Sequence, residues 1–265
     1  MRAKGLAILS GSPLYGKSIL GYGLAARLGE ENSKTLCLEL HFDQEESFNN
    51  ELRQYALGDV SSGGKDLKEL ISASDRGFDI LRLCPPENSA IDEKLLDLIS
   101  KGICEFSSKY DFMIISAPYG LNPIAFLAAA MCEEAILMID PDASAVASAY
   151  CFLKTLASEG MAGKVATIFS NVNSAGHAFS LKNKFDSLTA GFLDLKLKDG
   201  GFALSCQEND YTDSTEKSGF LRASDYAKNA HPETFRVFQN ETEEVSFSGT
   251  ISSYGEPDDL KMDNL

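Results

Sequence analysis

Tryptophan is absent from this 265-residue chain, histidine occurs three times, proline eight times, and no two of the six cysteines form a C-x-x-C pair. So little proline beside 21 glycines, with 44% hydrophobic and 24% charged residues, excludes collagen-like, low-complexity and wholly disordered chains. Cys37, Cys84, Cys104, Cys132, Cys151 and Cys206 are spread singly, with only His41, His177 and His231 to join them. That excludes a recognisable zinc site or disulfide framework and reads as reduced thiols used as small core residues. Basic residues are also in deficit. The 24 Lys and Arg face 39 Asp and Glu for a net charge of -15, so the average surface does not attract nucleic-acid phosphates. The apolar run Leu6-Ala7-Ile8-Leu9 behind Met-Arg-Ala-Lys-Gly is too short for a signal peptide, and the cytoplasm is the expected compartment. The longest stretch without a charge, Phe112 to Cys132, is broken by Pro118, Gly120, Asn122 and Pro123, which predicts strand, turn and helix and not a membrane span.

What the chain does have is alternation. Short apolar runs (Leu6 to Leu9, Thr35 to Leu40, Phe78 to Leu83, Phe112 to Ile115, Ala135 to Ile139, Val165 to Phe169) are separated by stretches of helical period. These are Ser18 to Leu28, Ile91 to Phe106, Ile124 to Met131, Ser144 to Leu156 and Phe179 to Leu188. Strand runs that are apolar on both faces predict a three-layer α/β fold, a mainly parallel sheet covered by helices on both sides. The stripe Ile91, Leu95, Leu98, Ile99, Ile103 reads as a core face. The polar segment from Gln44 to Gly77 reads as a loop and helix insertion, and the pattern weakens after Asp199. Residues 239–265 hold seven acidic residues against Lys261 alone, so the chain divides into a domain at 1–238 and an acidic tail, expected to be disordered, at 239–265.

One motif carries chemistry. Gly11-Ser12-Pro13-Leu14-Tyr15-Gly16-Lys17-Ser18 matches the phosphate-loop pattern and lies between the first strand and the first helix. There, backbone N–H groups and the positive end of the helix dipole face an anion. Lys17 has the reach for the β- and γ-phosphates and Ser18 the hydroxyl for Mg²⁺, which makes ATP or ADP with Mg²⁺ the expected cofactors.

The run Ile8 to Ser18 resembles the deviant Walker A loop of the MinD/ParA ATPases, in which Lys-Gly-Gly-x-Gly-Lys-Thr occupies the positions of Ser12 to Ser18. Thr35-Leu36-Cys37-Leu38-Glu39 resembles that family's second strand with its terminal acid, and Tyr110 to Gly120 its Tyr-Asp-x-x-x-x-Asp-x-Pro-x-Gly segment. Ala135 to Val146 is similar to its next strand and Pro-Glu-x-x-Ser-x loop, and Asn171 stands where the family has the Asn that approaches adenine. The likeness spans about residues 5 to 198 and is closest in flavour to FlhG-like members, which help set the site and number of flagella.

The resemblance assigns nucleotide contacts to Gly11, Ser12, Tyr15, Gly16, Lys17, Ser18 and Asn171, and metal contacts to Ser18 and Glu39. The departures are as informative. The signature lysine that crosses a dimer corresponds to Ser12, the two following glycines to Pro13 and Leu14, the water-orienting Asp to His41 with Asp43 two residues on, and the switch-II Asp to Ser116. His41 and Asp43 are thus the candidates left for catalysis, against a plainer reading of His41 as an idle loop residue. Pro lacks an N–H and Leu disfavours positive φ, which impairs the anion nest. Missing electrostatic groups each remove a few kcal/mol of transition-state stabilisation, so a pseudo-ATPase with slow or no hydrolysis is expected, acting as a regulatory or positioning protein. Its partners would be proteins of a positioned assembly, with a homodimer possible. The alternatives are an active Mg-dependent ATPase with substituted catalytic groups and a small-molecule phosphotransferase, the latter disfavoured because only Arg222 and Arg236 lie beyond Arg82 to build a lid. The acidic C-terminal end predicts no direct membrane anchor there. Overall acidity predicts no direct nucleic-acid binding despite Lys182, Lys184, Lys196 and Lys198.

Overall fold

The computed structural model describes residues 2–14, 16–40, 55–56, 66–84, 91 and 93–204. Strand β1 (Lys4–Ser10) leads into helix α1 (Lys17–Glu30), then β2 (Thr35–Leu40), the two-residue strands β3 (Tyr55–Ala56) and β4 (Ser72–Ala73), and β5 (Asp79–Cys84). Helix α2 (Glu93–Phe106), β6 (Phe112–Ser116), α3 (Pro123–Met131), β7 (Glu134–Ile139), α4 (Ala143–Ser158), β8 (Val165–Val172), α5 (Ala175–Leu193) and β9 (Lys198–Leu204) follow. The strands form one sheet in the order β3-β5-β2-β6-β1-β7-β8-β9, every neighbouring pair parallel, with β4 antiparallel on β5.

Side-chain alternation on the strands feeds two separate cores. Ile8, Cys37, Ile80, Ile114, Ile136, Met138 and Ile168 point to the face covered by α1, where Leu20, Tyr22, Ala25 and Ala26 meet them. Ala7, Leu9, Leu36, Leu38, Ile115, Leu137 and Phe169 point the other way, against Ile99 and Phe106 of α2, Ile124 of α3, Phe152 of α4 and Phe185 of α5. This is why the strand runs read as apolar on both faces. The distribution of helices follows from the handedness of parallel crossovers. The step from β1 to β2 runs one way along the sheet and places α1 on one face. The steps β5 to β6, β6 to β7, β7 to β8 and β8 to β9 run the opposite way and place α2 to α5 on the other.

The sequence boundaries differ from the observed ones by a few residues at most in β1 to α5, apart from the short pieces between β2 and β5. The uncharged stretch is β6, a turn and α3, whose start is fixed by Asn122 accepting from the Ile124 N–H at 2.9 Å with Pro123 at the first helical position. Among the described residues no helix is long and apolar enough to cross a membrane. Two points are corrected. Strand β9 lies where the pattern had weakened, and Cys104 and Cys151 are exposed on helices although Cys37 and Cys132 are buried as expected. In the Gln44–Gly77 insertion the structure shows β3, a short 3₁₀ turn at Leu67–Leu70 and β4. The tail at 239–265 lies outside the described residues.

Candidate nucleotide site

Strands β1 and β7 are parallel neighbours whose onward connections run in opposite directions, so the chain parts above their carboxyl ends and opens a crevice there. The phosphate-loop motif leaves β1 at this point. Helix α1 begins after Gly16, whose φ of 112° only glycine adopts readily, and no side chain caps it. Helices α4 and α5, by contrast, are capped by Asp142, which accepts from the Ala145 N–H at 2.8 Å, and by Ser174, which accepts from the His177 N–H at 3.1 Å. Hydrogen bonds from the Ala145 N–H and then the Ser144 hydroxyl hold the Asp142 carboxyl below the usual range.

The loop's unusual residues have structural work. Leu14 is 3% exposed and joins the apolar cluster under α1, so this position, glycine in the resembled loop, is a core anchor here. Gly11 is wedged against α4: a Cβ there would lie 2.5 Å from the Ala149 nitrogen and 2.6 Å from the Ser148 oxygen, both backbone atoms. Gly11→Ala is therefore expected to cost about 1–3 kcal/mol, read as a lower urea midpoint. Gly163→Ala, whose Cβ would meet open space, should leave the midpoint unchanged.

Lys17 is 3% exposed and turned toward β6, its Nζ donating to the Ala117 carbonyl at 2.9 Å and lying 5.9 Å from the centre of the Tyr119 ring. The segment after β6 is itself stitched to β1, Ala117 N–H donating to the Ile8 carbonyl (3.0 Å) and Gly120 N–H to the Ser10 carbonyl (2.9 Å). The phosphate-loop lysine thus tethers the switch-like segment beside it. Ser18 is half-buried at the start of α1, and Ser12 is half-buried in the loop. Tyr15, His41 and Asp43 lie outside the described residues.

Glu39 is completely buried, and Arg82 of β5, its register neighbour, puts Nε 2.5 Å from its carboxylate. Arg82 also donates to the Tyr22 hydroxyl of α1, from Nε at 3.0 Å and from Nη2 at 2.5 Å. Burial, then the Glu39 charge, pushes the Tyr22 phenol and the Cys37 thiol well above their ordinary ranges, so both stay neutral. The other register neighbour of Glu39 is Ser116, 3% exposed. An Mg²⁺ shell built as in the resembled family does not fit these residues. The carboxylate at Glu39 is neutralised by a guanidinium, and the second acidic position is a buried hydroxyl. Among the described residues no three acidic, His or Cys side chains converge as metal ligands.

On the far side of the crevice Asn171, in a left-handed conformation at φ 55°, donates from Nδ2 to Asp140 Oδ1 at 2.7 Å, and the Ser170 hydroxyl donates to the same oxygen at 2.9 Å. Burial raises the Asp140 carboxyl above its ordinary value, partly offset by these two bonds. The structure therefore gathers Gly11, Ser12, Gly16, Lys17 and Ser18 on one loop at β1, sets Asn171 at the end of β8, and encloses Glu39 beneath α1. Sequence reading passed over Arg82, Tyr22 and Asp140. A lone arginine in the apolar run Phe78 to Leu83 was the available signal, since a buried charge needs a partner. Of the four lysines noted above, Lys182 pairs with Asp186 and Lys198 with Glu134, while Lys184 and Lys196 are exposed.

No protein-family model and no curated protein sequence matches the chain. Solved structures do. The structure of the MinC:MinD cell division protein complex of Aquifex aeolicus superposes with a TM-score of 0.59 at 17% identity, covering 78% of this chain and 83% of that one. A plasmid partition protein of Borrelia burgdorferi B31 bound to AMPPNP gives 0.58 at 16%, covering 86% and 97%. Cobyrinic acid a,c-diamide synthase of Mycobacterium smegmatis, bound to an ATP analogue and magnesium, gives 0.60 at 14%, covering 89% and 100%. The fold is that of the phosphate-loop ATPases of the MinD/ParA type.

Proposed function

We propose that the chain is a nucleotide-binding regulatory protein of the MinD/ParA type, a pseudo-ATPase that works through protein partners to position a cellular assembly such as the flagellum or a division or partition apparatus. The observation that carries it is the pairing of a retained phosphate loop with a disabled metal shell. Lys17 and Ser18 stand at the loop, while Glu39 is held by Arg82 and Ser116 replaces the second acid. Nucleotide affinity then depends on Lys17 and the loop's N–H groups, and hydrolysis lacks its charge-stabilising groups. A protein partner is supported by the MinD neighbour, whose structure is a complex with MinC, and the FlhG-like flavour of the sequence supports flagellar placement. Ser12 removes the lysine that crosses the dimer in the resembled family, so a homodimer of this chain would form through other contacts.

Calorimetry with ATP and ADP tests the reading. Lys17→Ala should weaken binding at least about tenfold, as expected when a charged hydrogen-bond donor to phosphate is lost. Replacing Mg²⁺ by EDTA should change affinity by less than about threefold, well under 1 kcal/mol. Absence of binding at millimolar nucleotide would remove the proposal, and a strict Mg²⁺ requirement would remove its account of Glu39 and Ser116.

A further inference from the structure

The hydrogen bonds that tie the 117–120 segment to β1 deliver the chain to Leu121, which is 62% exposed, and then to α3. Helix α3 turns Ile124, Ala125, Ala128 and Ala129 into the core. Its opposite side carries Pro123 and Ala130, both exposed, with Phe126, Leu127 and Met131 half-buried. Positions 123, 126, 127, 130 and 131 have the spacing of one helix face, so these side chains form a continuous apolar surface with Leu121 just ahead of the first turn. The Phe126 ring is stacked on the buried Phe152 of α4, 5.0 Å between centroids, which fixes it in place. A surface helix of a globular protein carries polar residues on its outer side, whereas one that is apolar all round belongs inside.

Charge decides what covers this face. Among the described helices α3 alone has no charged residue, and none occurs from Phe112 to Cys132. The chain has a net charge of -15, so two copies repel one another over most of their surfaces. In a two-fold contact each residue near the axis meets its own counterpart, and a charge there faces a like charge. The outer face of α3 is where an acidic chain can meet itself without that repulsion, and it offers no charge by which a different partner would be oriented. Ala130 is small enough to let two helix axes approach to the roughly 8–10 Å of ordinary helix packing. A helix of nine residues spans only about 14 Å, so the contact is small and the dimer reversible, not permanent. Such a contact needs nothing from Ser12, where the resembled family has its crossing lysine.

We infer that the outer face of α3, extended by Leu121, is a self-association surface that pairs with the same face of a second copy of this chain. Sedimentation equilibrium of the full chain without nucleotide, from about 1 to 500 µM, should show a monomer–dimer equilibrium. Raising NaCl from about 0.1 to 0.5 M should tighten it, because salt screens the repulsion between two acidic copies, whereas a contact held by opposite charges weakens. Leu121→Glu and Ala130→Glu, each at an exposed position, should weaken dimerisation at least about tenfold with an unchanged circular dichroism spectrum. Phe179→Glu places the same charge on an exposed apolar residue of α5 and should change the dimer constant less than about threefold. A dimer that neither α3 variant weakens, or that Phe179→Glu weakens as much, would overturn the inference. So would a monomer at every concentration and salt, and a lowered urea midpoint for Leu121→Glu in that monomer would assign the face to cover by the same chain.

Discussion

Arg82→Ala will lower the stability of the chain by about 3–5 kcal/mol, the range found when one partner of a buried ion pair is removed and the other stays charged inside the protein. Glu39 has no exposed surface and is ion-paired with Arg82, whose side chain is 7% exposed. Removing the guanidinium takes the ion-pair partner from a fully buried carboxylate that lies beside Tyr22, Cys37 and Ser116. The Tyr22 hydroxyl loses its two donors at the same time. Urea unfolding monitored by circular dichroism reads the effect. The double variant Glu39→Gln, Arg82→Met should recover much of the loss, because neutral partners of similar volume carry no desolvation penalty of this kind. A single variant within 1 kcal/mol of the parent would mean that the pair is not buried as described.

Phosphate release from ATP will not exceed that of the Lys17→Ala variant. Removing a single oriented donor or cation from a transition-state site commonly costs a factor of about 10²–10³. Ser12 and the buried Ser116 stand where the resembled family has its crossing lysine and its switch acid, and Glu39 is ion-paired with Arg82. Single-turnover measurement with γ-labelled nucleotide gives the result directly. A rate near about 10⁻² s⁻¹, that of a phosphate-loop hydrolase with its arginine in cis, abolished by Lys17→Ala, would reinstate the active-ATPase alternative.

Much of this was legible in the sequence because its signals are local. Apolar runs such as Leu36 to Leu38 and Ile136 to Ile139 cannot be solvated on either face, so they demand a covered parallel strand. Asn122-Pro123 and Asp142 announce helix starts by their own side-chain chemistry. Gly16-Lys17-Ser18 announces the anion loop by spacing alone. Strand β9 escaped notice because it lies at the sheet's edge and opens Lys198-Asp199-Gly200-Gly201, and edge strands are often polar and shielded by charge. Leu14 looked like damage to a phosphate loop until the fold placed it in the core beneath α1.

The sequence by itself determined the order of strands and helices, their parallel pairing and the position of the phosphate loop, since each follows from periodicity and from backbone chemistry within a few residues. Tertiary structure alone decided the partners of the charges. Glu39 and Arg82 are 43 positions apart and meet because β2 and β5 lie side by side in register. Asp140 and Asn171 meet because β7 and β8 do. No local pattern encodes such pairs, because sheet order is settled by the cooperative burial of two cores, and that burial determines which charged and polar groups meet.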